Sequence, residues 1–242
     1  MMSTNERKDN YLTPKAEHTS TMIFLHGLAD NADAFVEHYK DKDAYNMSLP
    51  NTKIVCLNAK EREVTIALNQ VLKSWYNVKG LPQIEEDYES QSGLIDHDQL
   101  NDSTDDVLKV VKEEAKFFGG DCSKIVVAGI SQGACVAYNT LFRSGLKLGG
   151  ILGLSGHTPL VNETSVTETV KKVPIFSYHG LSDNVVPEEL HKQGTEKLRK
   201  LGCDVTYYSE KDLGHSISRL EIERIKKFFK DKKLVPSKSS SS

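Results

Sequence analysis

No apolar stretch in the sequence approaches the ~20 residues that a membrane-spanning helix needs. Its apolar runs are short, as at 125–127, and the opening MMSTNERKDN carries no apolar signal region. A soluble, cytoplasmic chain without a transmembrane segment is expected. Cysteine is scarce: four residues, at 56, 122, 135 and 203, stand at least 13 positions apart. Close pairs of the kind that build a zinc site or a redox motif are missing, so the four read as reduced, mostly buried thiols, and no metal or cofactor is expected. An excess of one charge is missing too. With 31 basic and 34 acidic residues and a net charge of -3, the chain offers no basic footprint for nucleic acid. There is no internal repeat. What is present is an ordinary globular composition, 38% hydrophobic over 242 residues, which fits one large α/β domain.

Residues 1–19 are polar without periodicity and the chain ends almost entirely in serine, so flexible tails at 1–19 and 235–242 are expected to flank a single domain at 20–234. Short apolar runs at 22–25, 54–57, 125–128, 151–154, 173–178 and 205–208 have the length of buried strands. Between them lie segments of helical period. Leu100, Val107, Val111 and Phe118 share one stripe, stopped by Gly119-Gly120, and Ile217, Leu220, Ile225 and Phe228 share another. Pro187 and Gly202 bracket a further helix. This alternation implies a mainly parallel central sheet with helices on both faces, in which ligands gather at the C-terminal ends of the strands.

One such end carries a nucleophile. Gly129-Ile130-Ser131-Gln132-Gly133 follows an apolar run and precedes a helical stretch at 134–143. A serine on a sharp strand-to-helix turn is pushed out above the sheet, and its neighbours must be small to avoid strand and helix. The hydroxyl needs a base, and the base an orienting acid, in the chain order Ser, Asp or Glu, His. His215, in Asp212-Leu213-Gly214-His215-Ser216 between the last strand and the last helix, is the best-placed base. His191 falls inside a helix, and His179, just before a strand-ending glycine, reads as a packed or hydrogen-bonded residue. Asp183, beyond the strand that ends near Tyr178, is the candidate acid, although that position equally suits a helix cap. Asp212 competes, only three residues from His215. An oxyanion would need two N–H donors: Gln132 supplies one, and Leu28, in the turn His26-Gly27-Leu28-Ala29-Asp30, is the candidate for the other.

His26-Gly27-Leu28-Ala29-Asp30, Ser74-Trp75-Tyr76, the Ser131 elbow, Leu154-Ser155-Gly156, His179-Gly180 with Asp183 and Val185-Val186-Pro187, and Gly214-His215 occur in that order. In this the chain resembles the acyl-protein thioesterases and related small carboxylesterases, from about residue 20 to residue 230. The resemblance implies an α/β-hydrolase fold and removal of acyl chains from protein cysteines, from lysophospholipids or from small esters. It also implies Ser131, Asp183 and His215 as the triad, Leu28 and Gln132 as oxyanion donors, and Trp75 at the border of the acyl-binding groove. Two departures stand out: Ala29 replaces a second glycine, and Asn77 follows Tyr76 where an Asp is usual. Since a strained loop would misplace the Leu28 donor, Ala29 is expected at negative φ. Its partners would be acylated protein or lipid and ester substrates. Lys226, Lys227, Lys230, Lys232 and Lys233 read as complementing the dipole of the last helix, with transient contact to an anionic membrane as the alternative. The competing function is an α/β-hydrolase that binds its ligand without turning it over.

Overall fold

Strand residues face the two sides of a sheet alternately, so a run that is apolar throughout must be covered on both. The computed structural model describes residues 10–39, 46–80, 93–159 and 163–235. In chain order its strands are β1 (Asn10–Leu12), β2 (Ser20–Leu25), β3 (Thr52–Leu57), β4 (Glu61–Val64), β5 (Gln70–Lys73), β6 (Ile125–Ile130), β7 (Gly150–Leu154), β8 (Ile175–Gly180) and β9 (Val205–Glu210). The helices are α1 (Ala32–Tyr39), α2 (His97–Lys116), α3 (Gln132–Ser144), the single turn α4 (Glu168–Lys171), α5 (Glu188–Lys200) and α6 (Arg219–Asp231). Seven strands form one sheet in the order β1-β3-β2-β6-β7-β8-β9. All pairs are parallel except β1 with β3.

The alternation separates two cores. Ile23, Leu25, Val55, Val127, Ile151 and Ile175 pack with α2 and α3 on one face, while Met22, Phe24, Ile54, Val126, Leu152 and Phe176 pack with α1 and α6 on the other. From β2 the chain runs outward to β3 and then returns to pair β6 on β2's other side. The order therefore reverses at β2 and β6, which opens a crevice beyond their C-terminal ends. The loops holding His26 and Ser131 both leave from there.

Local chemistry fixes the helix ends. Asp96 accepts the Gln99 N–H at 3.0 Å before α2, and Ser218 accepts the Glu221 N–H at 3.0 Å before α6. All six apolar runs are strands, but three shorter strands stand beside them. Asn10–Leu12, expected in the tail, is the sheet edge; only Leu12 of its three residues is buried. The hairpin of β4 and β5 buries a single side chain, that of Val64. Neither segment has a period to detect. Leu220 is exposed and Ile222 takes its place in the buried stripe of α6. Of the C-terminal lysines, Lys227 pairs with Asp231 and Lys232 with Asp204. The rest of the expected N-terminal tail, 1–9, and the serine-rich stretch 236–242 lie outside the described residues. All four cysteines are thiols, three of them buried.

Candidate active site

Between the end of β6 and the start of α3 the chain reverses at one residue. Ser131 sits at φ 56 and ψ -120, a conformation that costs a non-glycine residue about 1–3 kcal/mol and persists only when its surroundings impose it. They do: the Ser131 N–H donates to Leu154 O at 2.9 Å, tying the turn to β7. A Cβ at Gly129 would lie 2.2 Å from Gly133 O, and one at Gly133 would lie 2.3 Å from Leu25 O. Both obstacles are backbone, so the two glycines are a steric condition for the elbow.

Gln132 opens α3, where first-turn N–H groups lack an intrahelical partner. Among the described residues, neither its N–H nor that of Leu28 donates to a protein acceptor. The Gln132 side chain is buried and does more than the sequence indicates. Its Oε1 accepts the Trp75 N–H at 2.9 Å, and its Nε2 donates to Ser74 Oγ at 2.9 Å and Tyr76 O at 2.6 Å. Trp75, expected beside an acyl groove, is only 2% exposed. Its indole N–H donates to His26 O at 2.8 Å. The segment Ser74-Trp75-Tyr76 thus binds both the residue after Ser131 and the loop bearing Leu28, and Trp75 is a brace for that loop.

Ala29 corrects an expectation: its φ is 64. In the same turn the Ala29 N–H donates to Lys73 O at 2.9 Å, which ties the loop to the end of β5. A left-handed alanine costs about 1–2 kcal/mol, and glycine returns roughly 0.5–1 kcal/mol of that as unfolded-state entropy. Ala29→Gly is therefore expected to stabilise the protein by about 0.5–1 kcal/mol, raising the melting temperature by roughly 2–3 °C in thermal denaturation. A lower melting temperature would mean that the turn is not strained.

Beyond β8, Ser182 N–H donates to Leu213 O at 2.9 Å, bringing the Asp183 loop against the His215 loop. His215 Nδ1 lies 2.7 Å from Asp183 Oδ2. Asp183 Oδ1 accepts the N–H groups of Val185 and Val186, each at 2.9 Å. Burial acts to raise the pKa of this carboxyl, but hydrogen bonds from His179, His215, Val186 and Val185 outweigh it and hold the group well below the usual carboxylate range. Asp183 therefore caps its own loop, not α5, whose first turn is entered through Pro187. Asp212 is exposed in a left-handed turn at φ 61. The structure joins His215 to Asp183 and brings Ser131 to the same sheet edge, at the end of β6, two strands from β8. No Ser131–His215 hydrogen bond is present among the described residues, and such contacts commonly tighten only with substrate bound.

His26 and His191 are buried and must stay neutral. His26 Nε2 accepts the Ala59 N–H at 3.0 Å while Nδ1 meets Gly27 O at 2.6 Å, which a doubly protonated ring could not satisfy. Burial lowers both pKa values, that of His191 strongly. The folded state then binds fewer protons than the unfolded state below the ordinary histidine pKa of about 6.5, so stability falls as pH falls. Between pH 7 and pH 5 each such imidazole is expected to cost up to about 2 kcal/mol, read as a lower urea midpoint. An unchanged midpoint would contradict neutral burial.

Set against known proteins, residues 10–232 match the model of the Phospholipase/Carboxylesterase family. The chain is 29% identical over 223 residues to acyl-protein thioesterase 1 homolog 1 of Dictyostelium discoideum, covering 91% of this chain and 94% of that one. It is 30% identical to acyl-protein thioesterase 1 of Aspergillus fumigatus over 93% of this chain and 92% of that one. The crystal structure of Arabidopsis thaliana SOBER1 superposes with a TM-score of 0.75 at 25% identity, over 88% and 98% of the two chains. The sheet described above is that of an α/β-hydrolase.

Proposed function

The chain belongs to the phospholipase/carboxylesterase family of hydrolases, and from that premise we propose that it is a serine hydrolase of acyl thioesters and carboxylic esters, working through a covalent acyl-enzyme. The observation that carries the reading is the 2.7 Å hydrogen bond between His215 and the ionised Asp183 at the sheet edge where Ser131 projects.

With Nδ1–H given to Asp183, His215 keeps Nε2 as an acceptor. Ser131 Oγ attacks the acyl carbonyl carbon as its proton passes to His215 Nε2, and the carbonyl oxygen becomes an oxyanion facing the Leu28 and Gln132 N–H groups. Collapse breaks the bond to the leaving thiol or alcohol, which takes the proton from His215. Water then attacks the acyl-serine, loses its proton to His215, and the carboxylic acid leaves as Ser131 is restored. Trp75 and Gln132 act by holding the two donor loops together. The substrates are S-acylated proteins, lysophospholipids or smaller esters, and the four thiols suit a reducing, cytoplasmic setting.

The second reading, a binder without turnover, leaves the Asp183–His215 bond without a purpose. A serine-directed fluorophosphonate separates the two. Wild type should be labelled and Ser131→Ala should not; an unlabelled wild type, or a labelled Ser131→Ala, contradicts the mechanism. A series of thioesters and oxyesters of increasing chain length then ranks the acyl donors.

A further inference from the structure

Asp183 Oδ2 has a second imidazole partner. His179 Nε2 lies 3.1 Å from it and 2.8 Å from Val186 O. On its other side, His179 Nδ1 is 2.7 Å from His191 Nδ1. His191 Nε2 is 3.0 Å from the Tyr138 hydroxyl, which is 2.6 Å from Ser177 Oγ. Tyr138 stands on α3, His191 on α5, and Ser177 and His179 on β8, and all four are fully buried.

The protons in this row can be assigned. Both atoms facing His179 Nε2 are acceptors, a carbonyl and a carboxylate, so that nitrogen carries the hydrogen. With both rings neutral, His179 Nδ1 is then an acceptor and His191 Nδ1 must donate to it. His191 Nε2 becomes an acceptor for the Tyr138 hydroxyl, whose oxygen accepts from Ser177. The bonds run one way as far as the His179 Nε2–H, which donates to Val186 O and has Asp183 Oδ2 as a second acceptor 3.1 Å away, so each polarises the next.

We propose that His179 is a positioning residue for the catalytic carboxylate, its tautomer imposed through His191 by the Tyr138 hydroxyl, so that a buried one-way chain Ser177→Tyr138→His191→His179 governs Asp183. The inference rests on Asp183 being the triad acid. Two effects follow. The carboxylate cannot swing, because Oδ1 is held by two backbone N–H groups and Oδ2 by His179 as well as His215. The charge on Oδ2 is also shared between two imidazoles, His215 at 2.7 Å and His179 at 3.1 Å. Other titratable groups facing the pair are His157, in the loop after β7, whose pKa burial and then His179 push down to about 4, and Tyr207 on β9, whose ring lies 5.6 Å from that of His191 and whose hydroxyl donates to Glu188.

The test uses hydrolysis of a short p-nitrophenyl ester as a function of pH, with thermal melting to confirm folding. His179→Phe keeps the ring volume but removes the donor. It should lower kcat by roughly tenfold with KM little changed, in line with the cost of a misplaced catalytic group. The acid limb of its kcat/KM profile should move up by about half a pH unit, because the Asp183 charge now acts on His215 alone. His179→Gln returns an N–H donor to Asp183 and should restore most of kcat and the wild-type limb. His191→Phe, which frees the His179 tautomer, should move the limb in the same direction and by less.

A folded His179→Phe with the wild-type profile overturns the proposal, as does a folded His179→Gln that restores nothing. If His179→Phe does not fold, an unmoved limb in His191→Phe overturns it. Asp183→Asn separates the two levels of the argument. If that variant keeps wild-type activity, the triad itself is wrong; if it is inactive while His179→Phe is unaffected, only the chain behind Asp183 is.

Discussion

Ser131→Ala is expected to hydrolyse esters and thioesters at least about 10³-fold more slowly than wild type while melting within a few degrees of it. The loss is large because the covalent route disappears with the hydroxyl, leaving only water attack aided by the Leu28 and Gln132 N–H groups. The fold is spared because nothing that holds the elbow involves Oγ: the Ser131 N–H is bonded to Leu154 O, and the crossing at Gly129 and Gly133 is a matter of backbone contact. Alanine at φ 56 carries the same strain as serine, since both have a Cβ. Turnover of the variant near the wild-type rate would remove Ser131 from the mechanism.

What could be seen in the sequence is what short-range sterics and burial dictate. The six apolar runs are strands because a doubly covered parallel strand must be apolar at every position. The elbow was visible because its glycines are forced by contacts within a few residues of Ser131. The pairing of Asp183 with His215 was also within reach, since a strand end followed by a loop delivers a side chain to the ligand-binding edge. The edge strand β1 was not visible, because three residues with one buried leucine carry no pattern.

Around the site, what escaped the sequence depends on contacts between distant segments. Ala29 lies in the left-handed region in a loop whose N–H is bonded to Lys73 O, 44 positions on, and no local rule encodes that partner. The family resemblance implies Trp75 at the border of the acyl-binding groove, yet its indole N–H is bonded to His26 O and its backbone N–H to Gln132, and the side chain is buried. His179, expected to be packed or hydrogen-bonded, is both, but the carboxylate beside it is not legible: Asp183 is four residues away, and only the turn held by the Val185 and Val186 N–H groups brings it back to His179. The one signal available was a histidine on a strand end in the same motif as the acid.

Asp183→Asn should cost about 10⁴-fold in kcat, a loss of the size that follows when a triad histidine is held in the wrong tautomer. Here the direction of the amide is set by the backbone. The atom facing the Val185 and Val186 N–H groups must be an acceptor, so the amide oxygen takes the Oδ1 position and the NH₂ takes that of Oδ2, 2.7 Å from His215 Nδ1. That NH₂ donates to Nδ1, moves the imidazole proton to Nε2, and leaves no lone pair to receive the Ser131 proton. The same NH₂ confronts the His179 Nε2–H across a 3.1 Å contact, donor against donor in a buried site. A loss of roughly 1–3 kcal/mol of stability should therefore accompany the loss of rate. Steady-state kinetics and thermal melting of Asp183→Asn, with Asp212→Asn beside it, read both effects. Asp212 is exposed and outside the pair, so its variant should match wild type; if the Asp212 change proved the more damaging, the acid would have been misassigned.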